Sequence, residues 1–337
     1  MAPLTRGRTG AEGVPGKLVA EYYAQRAEAG LLITEATAMN AQGRGWRNAP
    51  GIYNDAQVAG WQDVADAVHA RGGRVFMQIW HMGRTVLPEY ANGERPVAPS
   101  EVKADGGMLD QDGNRRQFVM PRALTIPEIK RTVDAFEIAA KRAVEAGMDG
   151  VEIHGANNFL VDSFLRDGTN RREDEYGGPV ENRARFLIEI VDAVARAIGA
   201  NRVGVRLSPT NSYFGISDSE PHVTFPGIAA LLNRFDLAYL HILESKPENG
   251  IAPVAPLIRD AYKGILINNG GYDQSSGGDA LAAGEADAIA FGTPFIANPD
   301  LVNRFRHRLP LALPDPDTFY TPGAAGYSDY PAHPVAA

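Results

Sequence analysis

Cysteine is absent from this sequence. Its absence excludes disulfides, thiolate metal ligands and a cysteine nucleophile together. Long apolar runs are missing too: none approaches the roughly 20 residues that span a bilayer. Basic charge is in deficit, with 33 Lys and Arg against 41 Asp and Glu and a net charge of −8. Such an acidic, well-mixed surface argues against nucleic acid or an anionic membrane as main partner. A small-molecule substrate is expected instead, and a homo-oligomer stays open. No Pro- or Ser-rich linker divides the chain, so one domain over residues 1–337 is expected. No G-x-G-x-x-G opens an early helix, which disfavours a doubly wound dinucleotide fold. Residues 1–6 read as neither signal nor transit peptide, and a cytoplasmic protein is expected.

What is present is a repeating pattern. Hydrophobic residues make up 44% of the chain, enough for a substantial core. Strand-like runs are expected at 1–5, 31–34, 74–79, 150–153, 203–207, 237–242, 264–268 and 288–291. Helical periodicity follows each, at 18–30, 55–71, 126–147, 180–198, 225–235, 254–262, 275–284 and 299–308. Thr125 and Glu128 have capping-box spacing at the start of the third helix. Strand and helix alternating eight times is the pattern of a (β/α)8 TIM barrel. Two long loops, 82–121 and 208–224, follow the third and fifth strands. They would lie at the carboxyl ends of the strands, where barrel active sites are built.

The segments that end the strands carry the chemistry. His154 and Asn157, directly after the strand at 150–153, are spaced to aim two donors at one oxygen. They also read as cap residues serving backbone groups. Gln78 and Arg206 end the third and fifth strands. Asn269, Gly270 and Gly271 follow the seventh strand, and Gly292 and Thr293 the eighth. Glycines there suit close backbone approach to a phosphate, or a simple turn. His81 reads as a structural hydrogen-bonder. No metal site is expected: Asp167, Glu173, Asp174 and Glu175 read as salt-bridge partners of Arg171, Arg172 and Arg183.

These segments together resemble the Old Yellow Enzyme family of FMN-dependent ene-reductases. The motifs are MAPLTR at 1–6, ITEAT at 33–37, QIWHMGR at 78–84, and HGAN with FLRD within 154–167. RREDEYGG with ENR at 171–183, VRLSP at 205–209, NNGGYD at 268–273 and FIANPDL at 295–301 complete the set. The resemblance implies an FMN-dependent oxidoreductase with NADPH or NADH as reductant. It reduces activated alkenes, meaning α,β-unsaturated carbonyl or nitro compounds. By the same resemblance FMN is held by Pro3, Leu4, Thr5, Ala36, Gln78, Arg206, Asn269, Gly270, Gly271, Gly292 and Thr293. His154 and Asn157 bind the substrate oxygen, and Trp46, Trp80, Phe159 and Tyr327 surround the substrate.

Three departures from the family pattern qualify this. Phe159 stands where a proton-donating Tyr is usual, and Tyr213 is a candidate replacement. Thr293 stands where an Arg commonly meets the flavin phosphate. The family's N-terminal hairpin does not precede MAPLTR. Nitroester or nitroaromatic reduction, or a non-catalytic ligand-binding barrel, are the alternatives these departures leave open.

Overall fold

The computed structural model describes residues 1–244 and 250–334. Its strands are β1 (Leu32–Ile33), β2 (Thr37–Ala38), β3 (Val75–Trp80), β4 (Val97–Ala98), β5 (Gly107–Leu109) and β6 (Arg115–Gln117). They continue as β7 (Arg122–Ala123), β8 (Gly150–Gly155), β9 (Val203–Leu207), β10 (Tyr239–Leu243), β11 (Leu266–Asn269) and β12 (Ala288–Ala290). The main sheet is parallel and runs β1-β3-β8-β9-β10-β11-β12, with β2 also beside β3. Every residue of β3, β8 and β9 is buried, as expected of strands covered on both faces. The helices that cover them include α1 (Lys17–Ala24), α2 (Asp55–His69), α3 (Ile126–Glu145), α4 (Leu160–Leu165) and α5 (Val180–Ile198).

The expected first strand at 1–5 is not a strand. Met1 and Ala2 nevertheless bridge the gap between the last strand and the first. Ala2 N donates to Phe291 O at 2.9 Å, and Ile33 N donates to Met1 O at 3.1 Å. Pro3 then ends the pairing, because it has no N–H to give. Two residues therefore close the barrel, and the chain beyond them is free to turn toward its interior. Glu35 fixes that turn: its buried carboxylate accepts from the backbone N–H groups of Arg6 and Gly7, at 3.1 and 2.9 Å.

The helix expected at 18–30 ends at Ala24. Arg26 instead turns its guanidinium inward onto the carbonyls of Tyr22, Phe295 and Ile296. The capping box is present, with Glu128 accepting from Thr125 N at 2.8 Å. The helix expected from 225 begins at Pro221, a favoured first helical position. Two elements in the long third loop had no sequence signal strong enough to place them: the antiparallel pair β5–β6 and the parallel pair β4–β7. The short helix α4 was also unforeseen.

Behind α4 lies a buried ion pair. Arg166 Nε donates to Asp162 Oδ1 at 2.8 Å, both side chains almost wholly excluded from solvent. The same guanidinium donates to the carbonyls of Ser208, Pro209 and Asn211 in the fifth loop. Arg166→Met strands the Asp162 carboxylate and should cost about 3–5 kcal/mol of stability. Asp162→Leu added to it should recover part of the loss. Chemical denaturation of both variants checks this; a cost below about 1 kcal/mol for Arg166→Met would refute it.

Candidate active site

A cavity of about 720 Å³ opens at the carboxyl ends of the strands. That volume falls in the range of small-molecule and cofactor sites. Pro3, Leu4 and Thr5 form one wall, and Gln78, His154 and Arg206 the inner surface. Asn269, Gly270, Gly271, Gly292 and Thr293 line the side after β11 and β12. Trp46, Trp80, Asn157, Phe159 and Tyr213 surround the remainder, together with Phe319 and Tyr320. The lining thus draws on loops after most of the parallel strands.

Two sequence-named residues lie outside it. Ala36 is buried in an apolar cluster with Trp80 and Phe159. Tyr327, expected beside the substrate, is fully buried and does not line the cavity. Its ring stacks on Tyr22 at 4.0 Å, nearly parallel to it, with the Arg8 guanidinium 4.7 Å from its centroid. Tyr320 takes the rim position, 5.3 Å from Trp46. The C-terminal segment is held there by Arg8, which donates to the carbonyls of Thr318 and Phe319.

His154 is buried at the end of β8, level with Arg206 on β9. Its Nδ1 accepts from Ala156 N at 3.3 Å, which assigns the ring hydrogen to Nε2. Burial, reinforced by the positive charge of Arg206, pulls its pKa well below that of an ordinary histidine. It therefore acts as a neutral donor. Asn157 adopts a left-handed backbone conformation, φ 61°, as does Asn158 at 69°. Asparagine tolerates this better than most side chains. Asn157 N donates to Ser208 Oγ at 2.9 Å, and its Oδ1 accepts from Asn211 Nδ2 at 2.6 Å. With the amide oxygen engaged, its NH2 remains the donor.

Arg206 Nη2 donates to Asn269 Oδ1 at 2.8 Å, while its buried Nε has no partner among the described residues. A buried guanidinium with an unused donor is suited to an electron-rich ring edge. Asn269 Nδ2 in turn donates to Ala290 O, so both ends of that amide serve the barrel. Gln78 Nε2 donates to Glu152 Oε1 at 2.7 Å, leaving its carbonyl oxygen without a partner among the described residues. Gly271 has φ 75°, which favours glycine, and a Cβ there would meet nothing within 4 Å. Thr293 is exposed and brings no charge to this wall. These donors, and the open glycine wall, fit a flavin with a terminal phosphate.

Asp174 pairs with Arg172 at 2.5 Å, and Asp167 accepts from Ser219 N at 2.9 Å. Glu173 and Glu175 are exposed. His81 is buried, and its Nδ1 accepts from Gly83 N at 3.0 Å. Burial lowers its pKa to about 3. Sequence reasoning missed Asn211 and Ser208, which fix Asn157, and Phe319 and Tyr320 at the rim. Ser208 carried a signal, since it immediately follows β9. Asn211, in a loop without periodicity, carried none.

A model of the NADH:flavin oxidoreductase / NADH oxidase family matches residues 1–312. The chain is 42% identical to a probable flavin mononucleotide-dependent alkene reductase of Leishmania infantum, over 98% of this chain and 92% of that protein. It is 42% identical to 12-oxophytodienoate reductase 7 of Oryza sativa subsp. japonica, over 98% and 90% of the two chains. Among solved structures it is similar to the old yellow enzyme homologue from Zymomonas mobilis, with TM-score 0.97, 46% identity and coverage of 99% and 95%. Morphinone reductase in complex with tetrahydroNAD matches with TM-score 0.94, 47% identity and coverage of 99% and 93%. With its parallel (β/α)8 barrel, the chain therefore belongs to the NADH:flavin oxidoreductase / NADH oxidase family, and is an FMN-dependent oxidoreductase of the Old Yellow Enzyme type.

Proposed function

We propose that the protein is an NAD(P)H-dependent ene-reductase that acts on alkenes conjugated to a carbonyl or nitro group. The observation that carries this reading is the pair His154 and Asn157. Each holds a donor toward the cavity, and each is fixed by other protein groups before any ligand arrives. Preorganised donors of this kind stabilise charge developing on an oxygen.

The cavity residues divide the work. Arg206 and Gln78 would meet the pyrimidine edge of FMN, with Thr5 beside them. Gly270, Gly271, Gly292 and Thr293 would receive its phosphate, with Pro3 and Leu4 against the ring. Bound there, FMN would supply the hydride chemistry that links the reduced nicotinamide to the substrate's β-carbon. His154 Nε2 and Asn157 Nδ2 hold the substrate oxygen and draw electron density away from that carbon. Phe159 has no proton to give, so the α-carbon would take its proton from water entering the open side of the cavity or from Tyr213, which lines it. Trp46, Trp80 and Phe159 exclude water from the apolar part of the substrate. Nitroalkenes suit this arrangement best, because the nitro group itself carries the negative charge until the proton arrives.

Apoprotein titrated with FMN should quench flavin fluorescence saturably; no saturation at high micromolar flavin would sink the assignment. Thr293→Arg should tighten binding roughly tenfold to a hundredfold, the worth of one charge-assisted hydrogen bond of about 1.5–3 kcal/mol.

Asn211→Asp replaces a donor by an acceptor-only carboxylate. The Asn157 amide should then flip and present its oxygen to the cavity. Phenol binding, followed by its charge-transfer absorption with the flavin, should weaken by about 1–3 kcal/mol. Because burial keeps His154 neutral, the wild-type affinity should show no histidine step near pH 6.5. An unchanged affinity in Asn211→Asp would place the oxygen site elsewhere.

Phe159→Tyr should raise the rate of cyclohexenone reduction, by up to the 10²–10⁴-fold that a positioned acid typically contributes. The rate of flavin reduction by nicotinamide should stay nearly constant. Stopped-flow traces of the two half-reactions separate these outcomes. Equal enone rates in both proteins would mean that water or Tyr213 already supplies the proton, or that residue 159 does not face the substrate.

A further inference from the structure

Glu152 lies at the centre of the barrel and is fully buried, yet no step of the proposed reaction uses it. In register it stands between Gln78 of β3 and Gly204 of β9. Gly204 has to be small: a Cβ there would lie 2.3 Å from the Tyr239 ring, which fills that space. The Glu152 carboxylate is bound on both sides. Oε1 accepts from Gln78 Nε2 at 2.7 Å, and Oε2 accepts from His241 Nδ1 at 2.8 Å. An ionised carboxylate only accepts. Gln78 must therefore turn its NH2 inward, which leaves its carbonyl oxygen for the cavity it lines. His241 spends its ring hydrogen on Glu152, and its buried Nε2 has no partner among the described residues. Burial favours this neutral imidazole over the charged one.

Burial also opposes ionisation of Glu152. His241, Arg206 and Gln78 outweigh it and hold the carboxyl below the usual carboxylate range. Arg206 makes no hydrogen bond to Glu152; it donates to Asn269 instead. The carboxylate thus acts on the cavity in two ways, through the Gln78 amide and through its field against the Arg206 charge.

We propose that Glu152 is a positioning residue for the flavin: it holds the Gln78 amide oxygen toward the cavity, and its charge offsets that of Arg206, lowering the reduction potential of the bound cofactor. The proposal rests on the assignment of Gln78 and Arg206 to the flavin edge made above. A cofactor N–H facing Gln78 is the complement of an oriented amide oxygen. A negative charge behind Arg206 disfavours the extra negative charge of a reduced flavin.

The test uses holoenzyme of the wild type, Glu152→Gln and Glu152→Asp, with FMN and 3-methyl-FMN as probes. The methyl group removes the ring N–H that an amide oxygen would accept. Glu152→Gln keeps an acceptor for Gln78 and removes the charge. Its flavin should favour the reduced form on the order of tenfold more, a rise of about 30 mV for a two-electron couple. Its preference for FMN over the methyl analogue should remain. Glu152→Asp keeps the charge but withdraws from Gln78. Its potential should stay near wild type while its preference for FMN falls. A merely structural Glu152 would lower the melting temperature of both variants and move neither quantity; wild-type potential and preference in both would overturn the proposal. If neither variant folds, the wild type still decides, because equal affinity for the two flavins would refute an oriented amide oxygen. Should Gln78→Met bind both flavins as the wild type does, the assignment of Gln78 to the flavin edge has failed instead.

Discussion

One buried guanidinium holds the site together. Arg166 joins the carboxylate of Asp162, on the short helix after β8, to three carbonyls of the loop after β9. Buried carbonyls need donors, and a loop inside a barrel mouth has no ladder to supply them. A single planar fork with five donors meets that need where a lysine could not. The consequences reach the cavity directly. Ser208 and Asn211, whose carbonyls bind Arg166, are the residues whose side chains fix Asn157. Asp162 also accepts from Asn158 N at 2.9 Å, stabilising one of two consecutive left-handed residues. Backbone strain beside the candidate oxygen site is thus offset by an ion pair that does not line the cavity.

Much of this was legible beforehand, for physical reasons. Alternating strands and helices follow from hydrophobic periodicity, and α5 and β9 fall at the expected bounds. Proline carries a clear signal at two points: Pro3 ends the pairing made by Met1 and Ala2, and Pro221 starts a helix. Residues at strand ends could be named because the barrel brings those ends together. Tyr327 could not be judged that way. It lies beyond the last helix, where no period fixes direction, and its place follows from stacking against Tyr22 and the arginines around it. Asn211 was invisible for a similar reason: its role depends on a carbonyl contact made across the barrel mouth.

The interior of the barrel follows a different rule from its shell. The shell buries apolar side chains, but the layer under the cavity holds Gln78, Glu152, His154, Arg206 and His241. Groups like these are tolerated in a core when each has a partner or a purpose. Several partners here are protein groups, which orient the donors before a ligand arrives. The unused donor of Arg206 is one that a bound cofactor would satisfy, and His241 Nε2 also has no partner among the described residues.

Phe159 shows how orientation and acidity can be separated at one position. Its ring meets Trp80 at 4.8 Å and His154 at 4.9 Å, both edge-to-face. Such contacts are favourable and directional for any aromatic ring. They restrain the His154 imidazole whether or not the neighbouring ring carries a hydroxyl. A tyrosine here would place an additional polar group against a largely buried wall, and it would need a partner. Phenylalanine keeps the packing that aims the histidine and gives up only the proton. Under the proposed function, the residue would shift which substrates are easy, through the charge they carry until a proton arrives, without disturbing the two candidate donors, His154 and Asn157.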